Sequence, residues 1–178
     1  MKTVECTIKG LAPGLLMNKF PLVASEAPEK KSKEEQAEFA AYRIPSDDGN
    51  GELYLPGTAI QRALVAGAVF SKGRGRATLQ KVVAACVLVT PEYIGLGTKK
   101  YAIDSRAVVV PATRGRIVRH RPLLPEWQAA FSIEYDENLL TEEQVRRVLD
   151  DTGRRVGLLD YRPAKTGPFG RFVITHWA

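Results

Sequence analysis

Catalysis is limited first by the bases and nucleophiles a chain carries. This chain of 178 residues has two histidines, His120 and His176, and two cysteines, Cys6 and Cys86. The cysteines lie far apart, in no CxxC pair and beside no histidine cluster, so their spacing suits neither a zinc site nor a disulfide framework. No GxSxG segment and no phosphate-loop lysine motif occurs. The adjacent carboxylates Glu142-Glu143 and Asp150-Asp151 fall on an expected helix, where neighbours in sequence point different ways. Asp47-Asp48 open an Asp-Asp-Gly-Asn-Gly turn. The expectation is a non-catalytic protein with no metal and no cofactor. Any activity would take the form of metal-dependent RNA cleavage through Asp47 or Asp48, or of histidine-assisted RNA processing.

The cations are more informative. Net charge is +6, and residues 53–125 hold 12 Lys+Arg against 2 Asp+Glu, whereas residues 1–52 and 126–178 each hold 7 against 9. All the positive excess therefore sits in the central third. Solvated faces mix signs, so this distribution indicates a surface for a polyanion. Arg62, Arg74, Arg76 and Lys81 contribute to it, as do Arg114, Arg116, Arg119 and Arg121 around Ala112-Thr113-Arg114-Gly115-Arg116, a hairpin signature. A period of two places two of those four arginines on each hairpin face. His120, between two of them, could contact a phosphate, but reads first as a histidine satisfied by backbone. Gly157 to Phe172 forms a further basic, glycine-rich segment. Its glycines, Gly170 included, would let backbone N–H groups approach phosphates, Arg162, Lys165 and Arg171 would add charge, and Tyr161 or Phe169 would stack on a base.

These residues need elements to hold them. Thr3 to Leu11 alternates as a half-buried strand with Cys6 as a core thiol. Leu15 to Phe20 is an apolar turn, and residues 21–52 are expected to be an exposed loop or helical insertion, with Ser25 to Glu38 its most charged part. Thr58 with Gln61 predicts a capping box opening a helix whose apolar face is Ile60, Ala63, Leu64, Gly67, Ala68 and Phe70. Its small residues would let it lie close to a sheet. Thr78 to Val89 is apolar enough for burial but open between helix and strand, with strand expected at Val87 to Thr90. Strands are further expected at Ala107 to Pro111 and Ile117 to Arg121, through Phe131, Ile133 and Tyr135, and over Phe172 to Trp177. Thr141 with Gln144 predicts a second capped helix that buries Val145, Val148 and Leu149. The order is that of an α+β fold with a ferredoxin-like, RRM-like core in one domain, carrying an inserted β-hairpin and a glycine-rich loop before the last strand. The open sheet face of such folds commonly holds single-stranded RNA.

Leu53 to Leu64, with Pro56-Gly57-Thr58 and Arg62, resembles the PGSSLKG-hydrophobic-Arg segment that opens the first helix in proteins of the RAMP superfamily, the CRISPR-associated backbone subunits. Gly157 to Phe172 is similar to the glycine-rich loop that these proteins carry between last helix and last strand, and the arginine hairpin has a counterpart in them. The resemblance implies an RNA-binding backbone subunit, cytoplasmic, which holds guide RNA through phosphate contacts and oligomerises with copies of itself or with other RAMP subunits. Target-cleaving relatives place an acidic residue in the loop well before that helix. Here the nearest acids, Asp47 and Asp48, sit in a turn eight or nine residues before Pro56, so no cleavage is implied. Two other readings stand beside this one. They are a guide-free coat for single-stranded nucleic acid in a phage or mobile element, and a structural subunit that contacts only protein. Met1 to Lys9 alternates instead of running apolar, and no stretch nears the length needed to cross a bilayer, so neither export nor a membrane is expected.

Overall fold

The structure is a computed structural model that describes residues 1–19 and 30–178. Phe20 and the stretch through Glu29, which holds the first part of the expected insertion, lie outside the described residues. The elements in chain order are β1 (Lys2–Gly10), β2 (Leu15–Leu16), α1 (Lys33–Ala40), β3 (Tyr54–Pro56), α2 (Gly57–Gly67), α3 (Gln80–Cys86), β4 (Val87–Thr90), β5 (Tyr93–Gly95), β6 (Ala102–Val109), β7 (Arg116–Leu124), β8 (Gln128–Tyr135), α4 (Glu142–Asp151) and β9 (Phe172–Trp177). The fold is mixed α+β with antiparallel sheets. The largest has the strand order β4-β8-β1-β9, a second the order β2-β7-β6, and β3 pairs with β5.

Alternation decides which face of the main sheet is covered. β1 buries Val4, Cys6 and Ile8, β8 buries Ala129, Phe131, Ile133 and Tyr135, and β4 buries Val87 and Val89. Ile60, Ala63 and Leu64 of α2 and Val145, Val148 and Leu149 of α4 join them in one core. The expected cap of α4 forms: the Gln144 N–H donates to Thr141 Oγ1 at 3.2 Å, and the Thr141 N–H donates to Gln144 Oε1 at 2.9 Å.

The start of α2 differs from expectation. The helix begins at Gly57 with Pro56 at the cap position and no side-chain cap bond, so Thr58 stands exposed inside the first turn. The cause is a close approach. The Gly57 N–H donates to Glu92 O at 2.8 Å, and a Cβ on Gly57 would lie 2.5 Å from Pro91 O. Gln61 is then free to bridge to β4, donating from Nε2 to Val87 O at 2.7 Å and accepting the Val89 N–H on Oε1 at 3.0 Å.

The far end of α2 also differs. Gly67 packs against Thr152 after α4, where a Cβ would overlap the hydroxyl, so its small size serves contact with the segment after α4 and not the expected approach to a sheet. The chain then tightens into a 3₁₀ turn over Ala68–Phe70, which rotates Phe70 out of the apolar face and leaves it 48% exposed. The stretch that was open between helix and strand is both, α3 followed by β4. The hairpin is longer than expected. Its ladder runs from Ala102 opposite Leu123 to Val109 opposite Arg116, because Asp104 to Arg106 pair through backbone without the apolar alternation that marks a half-buried strand.

Candidate nucleic-acid interface

α4 runs into a π-helical turn, Thr152–Val156, which delivers the chain into the loop 157–171. Three residues of this loop other than glycine take left-handed φ: Leu159 at 58°, Tyr161 at 45° and Thr166 at 62°. Such angles are held only where surroundings over-determine them. Here the glycine N–H groups do much of the holding. That of Gly157 donates to Thr152 O at 2.9 Å, that of Gly167 to Arg162 O at 3.0 Å, and that of Gly170 to Gly14 O at 2.8 Å. The expectation that these glycines offer N–H groups to phosphates is therefore corrected. They shape the loop, and its side chains carry any anion chemistry.

The hairpin and the loop are fastened together. Arg121, whose side chain is 9% exposed, forms an ion pair from Nη1 to Asp160. Arg106 is held by Asp104, Nε to Oδ2 at 2.9 Å, with its guanidinium 4.9 Å from the Phe169 ring centroid and 5.7 Å from that of Tyr161. Phe169 is 1% exposed, so it cannot stack on a base, and its place is inside this joint. Tyr161, 37% exposed, keeps an accessible ring.

Two clefts flank the joint. One, of about 550 Å³, lies between hairpin and loop and is lined by Arg106, Val108, Arg121, Tyr161, Arg162 and Lys165 among others. The second, of about 310 Å³, lies between loop and helix, with Asn18, Tyr42, Arg62 of α2, Gly157 to Asp160 and Arg162 in its wall. Asp160 and Arg162 belong to both. The single carboxylate in the lining is thus already paired with Arg121, which leaves Arg62, Arg162 and Lys165 with no carboxylate partner among the described residues. Arg162 steadies itself from Nη1 on Leu159 O at 2.8 Å. The chemistry available is that of a positively charged track with one exposed ring, suited to phosphates carried on a strand.

The remaining expected site residues distribute elsewhere. Arg119 shares the cleft-side face of the hairpin with Arg106 and Arg121, and Arg116 lies on the opposite face with His120. Arg114 occupies the hairpin turn at φ 56° and belongs to neither face. His120 is satisfied by a side chain instead of backbone, its Nδ1 lying 2.7 Å from Ser105 Oγ. Gly170 is a backbone position, and Arg171 is exposed beside the β1–β2 connection, where its carbonyl accepts the Leu11 N–H at 2.9 Å. Arg74, Arg76 and Lys81 lie beyond the other end of α2. Arg106 is the cleft residue that sequence reasoning missed. A ladder extended back through the hairpin would have found it, opposite Arg119.

The open face of the main sheet offers little to a strand of RNA. On its two central strands it presents Thr3, Glu5, Thr7 and Lys9 with Gln128, Ala130, Ser132 and Glu134, a set with two carboxylates and no ring for stacking. Asp48 sits in its expected turn, accepting from Ser46 Oγ at 2.8 Å and the Asn50 N–H at 3.0 Å, and these bonds hold its carboxyl below the usual range. Among the described residues no helix is long and apolar enough to cross a membrane. No protein-family model matches the chain, and no curated protein matches it either.

Proposed function

We propose that this protein is a non-catalytic RNA-binding subunit of the RAMP type, cytoplasmic, which holds a guide strand through phosphate contacts and assembles along it with copies of itself or related subunits. The observation that carries the reading is the meeting of three segments distant in sequence. The helix that follows Pro56-Gly57, the loop before β9 and the arginine hairpin converge on two clefts that share Asp160 and Arg162. The strand order supports it as well. With α2 between β1 and β4, and α4 between β8 and β9, the order β4-β8-β1-β9 is that expected of a ferredoxin-like split βαβ core. Phosphate contacts come from Arg62, Arg162 and Lys165, with Arg106 and Arg119 along the hairpin and Tyr161 as the stacking ring. Asp47 and Asp48, in an exposed turn stabilised by its own hydrogen bonds, are not arranged for cleavage.

Sequencing the nucleic acid that co-purifies tests the reading. A fixed, repeat-derived tag is expected, together with a preference for RNA over DNA of the same sequence, since 2′-hydroxyl contacts distinguish the two. Random sequences bound equally well as either sugar would replace the guide holder with a general single-strand coat. Assembly that survives nuclease treatment with no nucleic acid retained would replace both with a protein-only subunit.

A further inference from the structure

A second basic surface lies past the C-terminal end of α2. Leaving Phe70, the chain makes a tight turn in which Lys72 and Thr78 pair as an isolated bridge and the Gly73 N–H donates to Ala77 O at 2.8 Å. Gly75 takes φ 65° at its tip. The turn projects Arg74 and Arg76, with Lys72 at its foot and Lys81 following on α3. All four are exposed, and none has a carboxylate partner among the described residues. The acid nearby is already occupied: Asp151 is ion-paired with Arg155 at 3.3 Å and accepts from Ser71 Oγ at 3.4 Å.

Phe70 stands beside this turn. The Arg155 guanidinium lies over the ring at 4.9 Å from its centroid, and the ring is still 48% exposed. An exposed ring backed by a guanidinium and followed in the chain by exposed cations with no carboxylate partner among the described residues has the make-up of a platform on which a base stacks while its phosphates are neutralised. It is separate from the clefts. Arg62 and Phe70 are eight residues apart on and just past α2, about 12 Å along the axis at about 1.5 Å per residue.

We infer that Phe70, backed by Arg155, is the stacking platform of a second single-stranded nucleic-acid site, with Arg74 and Arg76 as its phosphate ligands. The choice of ligand rests on the function proposed above, but the site shares no residue with the clefts. A base on Phe70 is therefore a different nucleotide from one held at Arg62, on the same strand or another.

Titration with a short oligouridylate, too short to reach both sites, separates the two ideas. The wild type, Arg74→Ala/Arg76→Ala, Phe70→Ala, Phe70→Tyr and the cleft pair Arg62→Ala/Arg162→Ala are compared for stoichiometry and affinity. Two oligonucleotides per chain are expected on the wild type and one on either arginine pair variant. In the cleft-pair background, Phe70→Ala should weaken the remaining site about tenfold without changing its salt dependence, and Phe70→Tyr should restore it. One oligonucleotide on the wild type, lost in the cleft pair and unaffected at Arg74, Arg76 and Phe70, would overturn the second site and leave the clefts standing. Binding that survives in the cleft pair and disappears with Arg74→Ala/Arg76→Ala would support the second site and overturn the clefts. A Phe70→Ala chain that changes its oligomeric state but not its binding would show the ring to be a protein contact and overturn the inference.

Discussion

Arg121 at the foot of the hairpin donates from Nη1 to the carboxylate of Asp160, in the loop that leads to the last strand. The pair spans two segments with no backbone ladder between them, and it sits where the two clefts meet. Among the described residues its Nε has no partner, so the guanidinium depends on this carboxylate and on Asp104, 3.9 Å from Nη2. Asp160→Ala should strand the charge in a site 9% exposed. Breaking a fully buried pair costs about 3–5 kcal/mol, and partial solvent contact at Asp160 brings the expected loss to about 2–3 kcal/mol. Urea unfolding measures it. Arg121→Met combined with Asp160→Leu should recover most of the loss, and a double variant as unstable as the single would show that the charge pair is not what joins hairpin to loop.

The Gln61 bridge gives a second expected outcome. Both polar atoms of its amide serve backbone groups on the edge of β4 that faces away from β8. Gln61→Leu leaves Val87 O and the Val89 N–H without partners, at a cost of about 1–3 kcal/mol. Hydrogen exchange at the Val89 amide should accelerate more than at core amides of β1. Equal protection in variant and wild type would count against the bridge.

Order of elements was legible in the sequence wherever a period survives on the surface of a core. Val4, Cys6 and Ile8 announce β1, and Thr141 with Gln144 announces α4, because the signal and its partner lie within a few residues. The same rule misplaces the cap at Thr58, since the deciding contact is Gly57 against Pro91 and Glu92, more than thirty residues on. Loop 157–171 shows the same limit. Its cations were readable from residue type, but whether its glycines face a phosphate or the protein depends on Gly14 and Thr152. Arg106 escaped because a strand that projects from the body has no buried face to impose alternation.

Cys6 tests the core directly. Burial pushes its thiol up from an ordinary value of 9.0 to about 12, and Sγ lies 3.5 Å from Phe131 O. A raised value means that the folded state favours the protonated thiol. The contribution to stability is therefore complete below about pH 9 and lost as pH rises toward 12. At pH 8 a thiol reagent should leave Cys6 unmodified in the folded chain and modify it once the chain is unfolded in urea. Rapid modification of Cys6 in the folded chain would contradict the closed core between β1 and β8.

The basic track makes the sharpest demand on binding. Arg62 and Arg162 line one cleft from two elements, and neither has a carboxylate partner among the described residues, so removing both should cost phosphate contacts. Arg62 is exposed, and substitutions of that kind usually shift stability within about 0.5 kcal/mol, whereas Arg162→Ala also removes the half-buried bond to Leu159 O, worth about 1 kcal/mol. Each lost phosphate contact should shallow the log–log salt slope by about 0.7 on a single strand, and the loss should be the same for every sequence, because phosphates carry none of the sequence information. The control is Arg146→Ala/Arg147→Ala on α4. Arg147 is already paired with Glu143 at 3.2 Å, and Arg146 lies 5.9 Å from the Trp177 ring centroid, so neither stands over a cleft. Anisotropy titrations of a labelled single-stranded RNA at several salt concentrations compare the pairs. A control pair that flattens the slope as much as Arg62 and Arg162 do would show that net charge, and not the meeting of helix, loop and hairpin, governs binding. An unchanged slope in the Arg62→Ala/Arg162→Ala chain would remove the clefts from the interface.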